Sequence, residues 1–425
     1  MTFGKGVCVS VFVVDGGRKL AGEVSVQGSK NSALPILAAT LLCGGECVLY
    51  NCPRLSDVEA SLAILRYLGC TAYREGSTLV VNTDGMDRCD IPPELMHRMR
   101  SSIIFLGAIV ARFGRARMSF PGGCELGPRP IDLHLSALRE MGISISEEHG
   151  MLDCVVEDRL NAAKIALPIP SVGATENTMI AAAVADGTTV VANAAREPEI
   201  VDLADFLNAC GAKISGAGES TIIIEGVEKL TPACHTIIPD RIVAATLMSA
   251  AAVTGASIRL KHVIPAHLQS VLPVFRDSGC EIDINPDGLR ISAPYRLHSP
   301  KLIRTMPYPG FPTDAQAPVM SMAAVADGMT VFVENLFLSR YSHVSELCRL
   351  GADIRVEGKV AVVDGVRRLL SAPVRAHDLR GAAALVVAAL CARGESEIGG
   401  IEYLERGYED FELVLSSLGA DVKKI

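Results

Sequence analysis

One pattern of apolar and polar residues recurs six times along the chain. In each copy a segment with helical periodicity ends at a glycine, and an alternating strand follows, usually with a turn and a second strand. Glycine readily takes the left-handed backbone conformation found at helix C-termini, so each of these glycines predicts the end of a helix. They are Gly69, Gly142, Gly211, Gly279, Gly351 and Gly419, the last in a shortened copy that closes the chain.

Each copy contains two kinds of helical segment. The first is amphipathic, as in DVEASLAILRYLG at residues 57–69, and Asp57, Asp132 and Asp202 are placed near three helix starts, where a carboxylate favours the helix dipole. The second is rich in alanine and nearly free of charge, as in ALPILAATLLCGG at residues 33–45. A helix that is apolar all round is buried. The pattern therefore predicts six stacked units of about 70 residues.

The length of the chain indicates how these units are grouped. A chain of 425 residues is too long for one ordinary core, so two domains of three units each are expected, and the halves should look alike. The cleft between two such halves is the natural place for chemistry. Near the N-terminus, VDGGRKLAGEVSVQGSK predicts two strands around a glycine turn.

Composition excludes several classes of protein. The apolar fraction of 49% and charged fraction of 21% are typical of a soluble globular protein, and a net charge of −8 gives no nucleic-acid signal. The 13 cysteines are scattered without a CxxC pair, which favours a reducing cytosol and gives no metal or zinc site. No signal-peptide cleavage site, membrane span or GxGxxG cofactor fingerprint is found. We therefore expect a cytoplasmic protein with no membrane association and no cofactor.

One short segment stands apart from this pattern. FPGGCELGPRP, at residues 120–130, places Cys124 after two glycines and Arg129 between two prolines. The glycines and prolines make regular structure unfavourable there, so Cys124 lies in a loop rather than in an apolar run. Because the chain is acidic overall, any anion site must be local and built from a few converging arginines.

Several motifs together resemble the enolpyruvyl transferases. In order they are GSKNSALP, MRSSI, PGGCELGPRPIDLH, PSVGATEN, AAREPEIVDL, FPTDAQA, SRYSHVSEL, DLRGAAAL and ERGYE, and the resemblance extends from about Val14 onward. It implies an α/β fold like that of EPSP synthase, an inside-out α/β barrel: two similar domains, each of three βαβαββ-type repeats, with buried helices inside and sheets outside. The implied domains are residues 30–238, and 1–29 with 239–425, with the active site in the cleft.

The resemblance also implies a reaction. The members with these motifs move the enolpyruvyl group of phosphoenolpyruvate onto the 3′-hydroxyl of UDP-N-acetylglucosamine by addition and elimination, with release of phosphate. This is the first committed step of peptidoglycan synthesis, and so it serves cell-wall biogenesis, cell shape and cell division. The implied partners are these two small molecules, with no cofactor and no nucleic acid, and a monomer is expected.

Site residues follow from the same match. Cys124 corresponds to the acid at C3, with a pKa lowered by neighbouring arginines, and Asp314 to the base or orienter at the hydroxyl. Lys30 and Arg406 complete the catalytic set. The residues matched to phosphoenolpyruvate binding are Lys30, Asn31, Arg129, Arg340, Arg380 and Arg406. Those matched to the nucleotide sugar are Asn31, Arg100, Arg129, Pro130, Ile131, Asp132, Leu133, Ser171, Val172, Gly173, Asp314, Leu336 and Phe337.

Other interpretations of the same residues stay open. Without the resemblance, Pro-Thr-Asp before a helix makes Asp314 an N-cap, and His134 and His343 are structural or orienting residues. The acceptor could be another nucleotide or shikimate 3-phosphate, although the shikimate enzymes lack the PGGC…RP loop. A non-catalytic paralogue that binds a nucleotide sugar is a further alternative. Ile104 and Ile169 stand where some members carry tryptophan and lysine.

Overall fold

The chain folds into two compact units. The computed structural model describes residues 10–122 and 131–425. The N-terminal unit is Gln27–Asp240, and the C-terminal unit comprises the described residues up to Val26 together with Arg241–Ile425. Each unit has its own apolar core.

The limits of the N-terminal unit extend slightly beyond residues 30–238. The backbone N–H of Lys30 donates to the Asp240 carboxylate over 3.2 Å, and Gly28 forms an antiparallel bridge with Pro239. These bonds tie the two ends of the unit to each other. The chain therefore enters the unit after Val26 and leaves it after Asp240.

The sheets are formed from short strands. In the described residues the strands are β1 Phe12–Asp15, β2 Ala21–Ser25, β3 Glu46–Tyr50, β4 Thr71–Glu75, β5 Thr78–Asn82, β6 Asp90–Ile91, β7 Arg115–Ser119, β8 Ser144–Glu148, β9 Met151–Val155, β10 Lys164–Ala166, β11 Thr188–Ala192, β12 Lys213–Ser215, β13 Thr221–Glu225, β14 Cys234–Thr236, β15 Ser257–Lys261, β16 Glu281–Asn285, β17 Gly288–Ser292, β18 Leu302–Arg304, β19 Met329–Val333, β20 Asp353–Glu357, β21 Val360–Asp364, β22 Pro373–Arg375, β23 Glu395–Gly399 and β24 Asp421–Lys424.

These strands make six four-stranded sheets in the described part of the chain, three per unit. The orders are β14-β3-β5-β4, β6-β7-β9-β8 and β10-β11-β13-β12 in the N-terminal unit, and β16-β17-β15-β2, β18-β19-β21-β20 and β22-β23-β1-β24 in the C-terminal unit. Every sheet has one parallel pair at an edge and two antiparallel pairs. The same supersecondary unit is thus repeated six times.

The two strands predicted around the N-terminal glycine turn both form, but they do not pair with each other. β1 lies between β23 and β24, with Val14 opposite Ser396 and Val422. β2 runs parallel to β15 in a different sheet. The N-terminal segment therefore completes two of the three sheets of the C-terminal unit.

Two classes of helix cover these sheets. The helices are α1 Lys30–Ala39, α2 Ser56–Tyr67, α3 Pro93–Met96, α4 Phe105–Phe113, α5 Asp132–Glu140, α6 Val172–Ala182, α7 Pro198–Ala209, α8 Arg241–Val253, α9 Leu272–Asp277, α10 Thr313–Ala323, α11 Val344–Arg349, α12 Leu379–Cys391, α13 Ile401–Leu404 and α14 Phe411–Ser417, with 3-10 turns at Thr40–Leu42, Arg100–Ile104 and Pro265–Leu268.

The predicted division into inner and outer helices is confirmed. The alanine-rich helices α1, α4, α6, α8, α10 and α12 are buried over most of their length, while α2, α5, α7, α9, α11 and α14 bury only one face. All six predicted glycines have positive φ, between 88° and 102°. An L-amino acid with a side chain is strained in that conformation, which explains glycine at each helix end.

Asp202 lies one turn further into its helix than predicted. α7 begins at Pro198, a residue favourable in a first turn, and Asp202 is its fifth residue. Asp202 instead faces inward, where its carboxylate accepts hydrogen bonds from His235 over 2.8 Å and from the Ile238 amide over 3.3 Å. It fastens α7 to the segment after β14.

No helix in the described residues is long and apolar enough to cross a membrane. No group of three or more His, Cys, Asp or Glu side chains in this part of the chain is arranged to hold a metal ion.

Candidate active site

The predicted site residues fall into three groups. Cys124, Arg129 and Pro130 lie outside the described residues. Nine lie in the N-terminal unit, namely Lys30, Asn31, Arg100, Ile131, Asp132, Leu133, Ser171, Val172 and Gly173. Six lie in the C-terminal unit, namely Asp314, Leu336, Phe337, Arg340, Arg380 and Arg406.

Lys30 is a buried cation at the first position of α1. The Ser29 side chain caps this helix by accepting a hydrogen bond from the Ser32 amide. Because Ser29 is the cap, Lys30 and Asn31 are the first two residues of the helix. The Lys30 ammonium lies 2.5 Å from a carboxylate oxygen of Asp57, and its side chain is only 11% exposed. A buried carboxylate on α2 therefore orients the ammonium at the open end of the helix.

The starts of α5 and α6 lie side by side in the N-terminal unit. Ile131, Asp132 and Leu133 open α5, and Ser171 caps α6 by accepting a bond from the Ala174 amide over 3.4 Å. A Cβ atom at Gly173 would lie 2.8 Å from Cε1 and 3.0 Å from Nε2 of His134. A side chain at position 173 would press on the His134 ring, so glycine lets the starts of α5 and α6 lie against each other.

His134 is oriented by a hydrogen-bond network with a definite direction. The Asn177 side-chain oxygen accepts from the Gly107 amide over 2.8 Å, and its nitrogen donates to the Ile103 carbonyl over 3.1 Å. The same nitrogen lies 3.2 Å from Nδ1 of His134, so Nδ1 accepts and Nε2 carries the proton. His134 therefore presents an N–H group beside Gly173.

Charge and burial keep this imidazole neutral. Burial, with a further contribution from the Arg100 guanidinium, lowers the pKa of His134 to about 4. Near neutral pH the ring is thus a hydrogen-bond donor without charge. Together with the N–H groups at the start of α6, it can bind an anion such as a diphosphate.

Asp314 is the centre of the polar cluster in the C-terminal unit. It is the second residue of α10, and its two carboxylate oxygens bind different arginines: Oδ1 to Nη2 of Arg340 over 2.6 Å, and Oδ2 to Nη2 of Arg380 over 2.9 Å. Arg340 also donates twice to the Thr313 carbonyl. The fold thus brings Asp314 together with Arg340, which is 26 positions away in sequence, and with Arg380, which is 66 positions away.

Burial makes this cluster chemically unusual. The side chains of Arg340 and Arg380 are 2% and 4% exposed, whereas that of Asp314 is 28% exposed. Two cations are therefore shielded from water on either side of one carboxylate that solvent can reach. Guanidinium groups placed in this way can bind a phosphate or carboxylate bidentately.

The start of α12 is held by its own cap. The Asp378 carboxylate accepts bonds from the amides of Arg380 and Gly381, both over 3.0 Å, and from the Ser342 hydroxyl over 2.7 Å. Burial alone would raise the pKa of Asp378, but the Arg340 charge and the Gly381 N–H outweigh it and lower the pKa below its usual value. This ionised cap fixes the position of Arg380.

His343 fits the structural interpretation. It is 3% exposed, and burial lowers its pKa to about 4. Within residues 10–122 and 131–425, neither of its ring nitrogens has a hydrogen-bond partner. Its Cβ lies close to Gly381, so the ring packs against the start of α12.

Glu334 is a buried carboxylate beside the predicted site that the sequence did not reveal. One carboxylate oxygen accepts from the amides of Leu336 over 2.8 Å and Phe337 over 3.1 Å, and the other accepts from the Thr313 hydroxyl over 2.9 Å. Glu334 is 1% exposed. It joins the predicted acceptor residues 336–337 to the start of α10, next to Asp314.

Arg406 follows α13 in a segment that packs against α12. A Cβ atom at Gly407 would lie 2.9 Å from the methyl carbons of Leu379, which precedes Arg380. Glycine at 407 therefore lets residues 406–408 approach the start of α12. The C-terminal unit thus collects Asp314, Arg340, Arg380 and Arg406 around the starts of α10 and α12.

Comparison with known proteins identifies the family of the chain. Residues 14–415 match the family model described as EPSP synthase (3-phosphoshikimate 1-carboxyvinyltransferase). The UDP-N-acetylglucosamine 1-carboxyvinyltransferase 2 of Caldanaerobacter subterraneus subsp. tengcongensis is 47% identical, over 97% of this chain and 99% of that protein. The UDP-N-acetylglucosamine 1-carboxyvinyltransferase of Trichlorobacter lovleyi is 46% identical, over 97% and 98%.

A solved structure gives the same result for the fold. The crystal structure of the enolpyruvyl transferase NikO from Streptomyces tendae superposes with a TM-score of 0.89 at 26% identity, covering 98% of this chain and 99% of that one. The predicted fold, two similar units of three repeats with buried inner helices, is confirmed. Sequence and structure together show that the chain is a transferase and belongs to the EPSP synthase family of carboxyvinyltransferases.

Proposed function

We propose that the protein transfers the enolpyruvyl group of phosphoenolpyruvate to the 3′-hydroxyl of UDP-N-acetylglucosamine and releases phosphate. The observation that carries this proposal is the position of Asp314, a solvent-accessible carboxylate held by two buried arginines. The reaction needs a base at a hydroxyl and cations around a phosphate and a carboxylate. Relatives named for the same reaction match nearly the whole chain.

The residues have complementary roles in the proposed reaction. Protonation of C3 by Cys124 makes C2 electrophilic, the sugar oxygen attacks C2 while Asp314 accepts its proton, and phosphate leaves as C3 loses a proton. Lys30, Arg129, Arg340, Arg380 and Arg406 neutralise the two anionic groups of phosphoenolpyruvate. Asn31 and Arg129 contact both substrates.

The acceptor is bound mainly by backbone groups. The start of α6 at Ser171, Val172 and Gly173 binds the diphosphate. The Arg100 guanidinium, whose charge acts on the neighbouring His134, adds a positive charge there. Residues 129–133 bind the uracil end, and Leu336 and Phe337 flank the sugar. In the cell the product serves peptidoglycan synthesis in the cytoplasm, and through it cell-wall biogenesis, cell shape and cell division, with the protein acting as a monomer.

A comparison of acceptors tests the proposal. Purified protein is mixed with phosphoenolpyruvate and either UDP-N-acetylglucosamine, another UDP-sugar or shikimate 3-phosphate, and released phosphate is measured. We expect sustained release with UDP-N-acetylglucosamine and none without an acceptor. Turnover with shikimate 3-phosphate alone, or binding of the nucleotide sugar without any turnover, would refute the proposal.

Asp314→Asn tests the role of the carboxylate. The amide keeps the shape but accepts no proton, and its nitrogen faces one of the two arginines, so turnover should fall by about 10²–10⁴-fold. Asp353→Asn is the matched control, because Asp353 forms a half-exposed pair with Arg355 on β20 in the same unit. Near-normal turnover by Asp314→Asn would remove Asp314 from the mechanism.

A further inference from the structure

Three inner helices of the C-terminal unit contribute to one polar cluster. Asp314 lies in the first turn of α10, Arg380 in the first turn of α12, and Thr246 in the second turn of α8. Tyr408, from the segment after α13, stands among them. Neither composition nor the family match assigned any role to Thr246 or Tyr408.

The hydrogen bonds in this cluster have a definite direction. The Thr246 hydroxyl donates its one proton to the Ile242 carbonyl over 2.9 Å, because a carbonyl oxygen only accepts. Thr246 must then accept from the Tyr408 hydroxyl, which lies 2.8 Å away. The Tyr408 oxygen in turn accepts from Nη1 of Arg380 over 3.3 Å. The chain therefore runs from the guanidinium through two hydroxyls to the backbone of α8.

Burial holds the members of this chain in place. Tyr408 is 2% exposed, and Thr246 is fully buried. The Tyr408 ring packs against Phe411 with centroids 4.8 Å apart, and the Arg380 guanidinium carbon lies 5.7 Å from the Tyr408 centroid. Gly407 brings the backbone against Leu379. The hydroxyl of Tyr408 has little freedom to move away from Arg380.

Arg380 is consequently held by groups on two of its nitrogens. Nη2 binds Asp314 over 2.9 Å, and Nη1 binds Tyr408 over 3.3 Å. Asp314 and Tyr408 come from different repeats, so the guanidinium plane is set by both. A cation that is already oriented loses less freedom when it binds an anion.

We propose that Tyr408 is a positioning residue that holds Arg380 in the orientation needed to bind phosphoenolpyruvate, with Thr246 fixing the Tyr408 hydroxyl. This inference rests on the proposed function, in which Arg380 binds that substrate. The effect of Tyr408 should therefore fall mainly on phosphoenolpyruvate, because Asp314, the proposed base at the acceptor hydroxyl, keeps its bond to Arg340.

The test compares the Michaelis constants of the two substrates. Tyr408→Phe keeps the ring and removes the hydroxyl, so loss of one hydrogen bond to a charged group should raise KM for phosphoenolpyruvate about 10-fold. KM for UDP-N-acetylglucosamine should stay within about twofold of that of the unaltered protein, because its diphosphate and uracil contacts are proposed at α5 and α6 of the N-terminal unit and Asp314 keeps its bond to Arg340. Direct calorimetric titration with phosphoenolpyruvate alone, where no turnover is expected, should show the same weakening.

Two Thr246 variants and one control complete the design. Thr246→Val removes the acceptor for the Tyr408 hydroxyl without changing side-chain size and should weaken phosphoenolpyruvate binding, whereas Thr246→Ser keeps the hydroxyl and should restore it. Tyr67→Phe is the matched control, because it removes a tyrosine hydroxyl bond to Asp90 of 2.9 Å in the N-terminal unit. It should leave both Michaelis constants unchanged.

The outcomes separate this inference from the proposed function. If the unaltered protein turns over and Tyr408→Phe retains its KM for phosphoenolpyruvate, the positioning role is wrong. Equal weakening of both substrates would show a general structural role and would also refute it. Should Tyr408→Phe fail to fold, Thr246→Val decides by the same criterion. No turnover by the unaltered protein refutes the proposed function, and this inference with it.

Discussion

Removal of the Glu334 carboxylate should disturb both stability and acceptor binding. In Glu334→Ala the amides of Leu336 and Phe337 and the hydroxyl of Thr313 lose the oxygens that accept from them. Glu334→Gln is the matched variant, since its amide oxygen still accepts from both backbone N–H groups and its nitrogen donates to the Thr313 hydroxyl. The pair of variants separates loss of geometry from loss of charge.

The magnitude follows from burial and hydrogen bonding. A hydrogen bond to a charged group contributes about 1.5–3 kcal/mol, but the terms are not additive. Leu336 is 40% exposed, so water can replace the carboxylate at its amide. We therefore expect Glu334→Ala to lower the free energy of unfolding of the C-terminal unit by about 3 kcal/mol, and Glu334→Gln by about 1 kcal/mol.

Two measurements check this prediction. The chain has no tryptophan, so urea unfolding is best followed by circular dichroism, with the midpoint compared at unchanged slope. In steady-state kinetics, KM for the nucleotide sugar should rise in Glu334→Ala more than in Glu334→Gln, because residues 336–337 are released from α10. Equal effects of the two variants would show that charge rather than geometry matters, and no effect of Glu334→Ala would refute the reasoning.

Two further predictions concern pH and thiol chemistry. Burial lowers the pKa of His343 from 6.5 to about 4, so the unfolded chain binds the proton first as the pH falls. The contribution of the neutral ring to the free energy of unfolding is complete above pH 6.5 and declines toward pH 4, by about 2 kcal/mol at about pH 5. Between pH 7 and 5 the urea midpoint of His343→Gln should therefore fall less than that of the unaltered protein. An identical fall in both proteins would contradict the assignment. Iodoacetamide should label the exposed Cys234 and Cys348 in the folded protein. It should spare Cys154 and Cys280, in which burial raises the thiol pKa to about 12. A peptide mass map that shows early modification of Cys154 or Cys280 would contradict this prediction.

The sequence predicted much of the fold because burial is encoded locally. Alanine-rich segments with almost no charge became the inner helices, and each glycine at the end of an amphipathic segment has the positive φ that a helix C-terminus requires. These features depend on neighbouring residues alone. The partners of β1 and β2 could not be obtained in this way, because the strands they join are hundreds of residues distant, as in the pairing of Phe12 with Lys424.

The candidate site was predictable in its residue types but not in its contacts. The family motifs identified Asp314, Arg340 and Arg380, yet nothing in them indicated that both arginines bind the same carboxylate. Glu334 precedes an asparagine in a loop and resembles an exposed charge in sequence, whereas folding buries it beneath residues 336–337. Such contacts arise from the stacking of repeats, which local periodicity does not specify.

The central claim is that the enzyme breaks the bond between C2 and the bridging oxygen of phosphoenolpyruvate. Phosphoenolpyruvate labelled with ¹⁸O at that oxygen, incubated with UDP-N-acetylglucosamine and the unaltered protein, tests it most directly by mass spectrometry of both products. All of the label should leave in phosphate, while the sugar product carries the enolpyruvyl group on its own unlabelled 3′-oxygen. Label retained in the sugar product or in free pyruvate would contradict it.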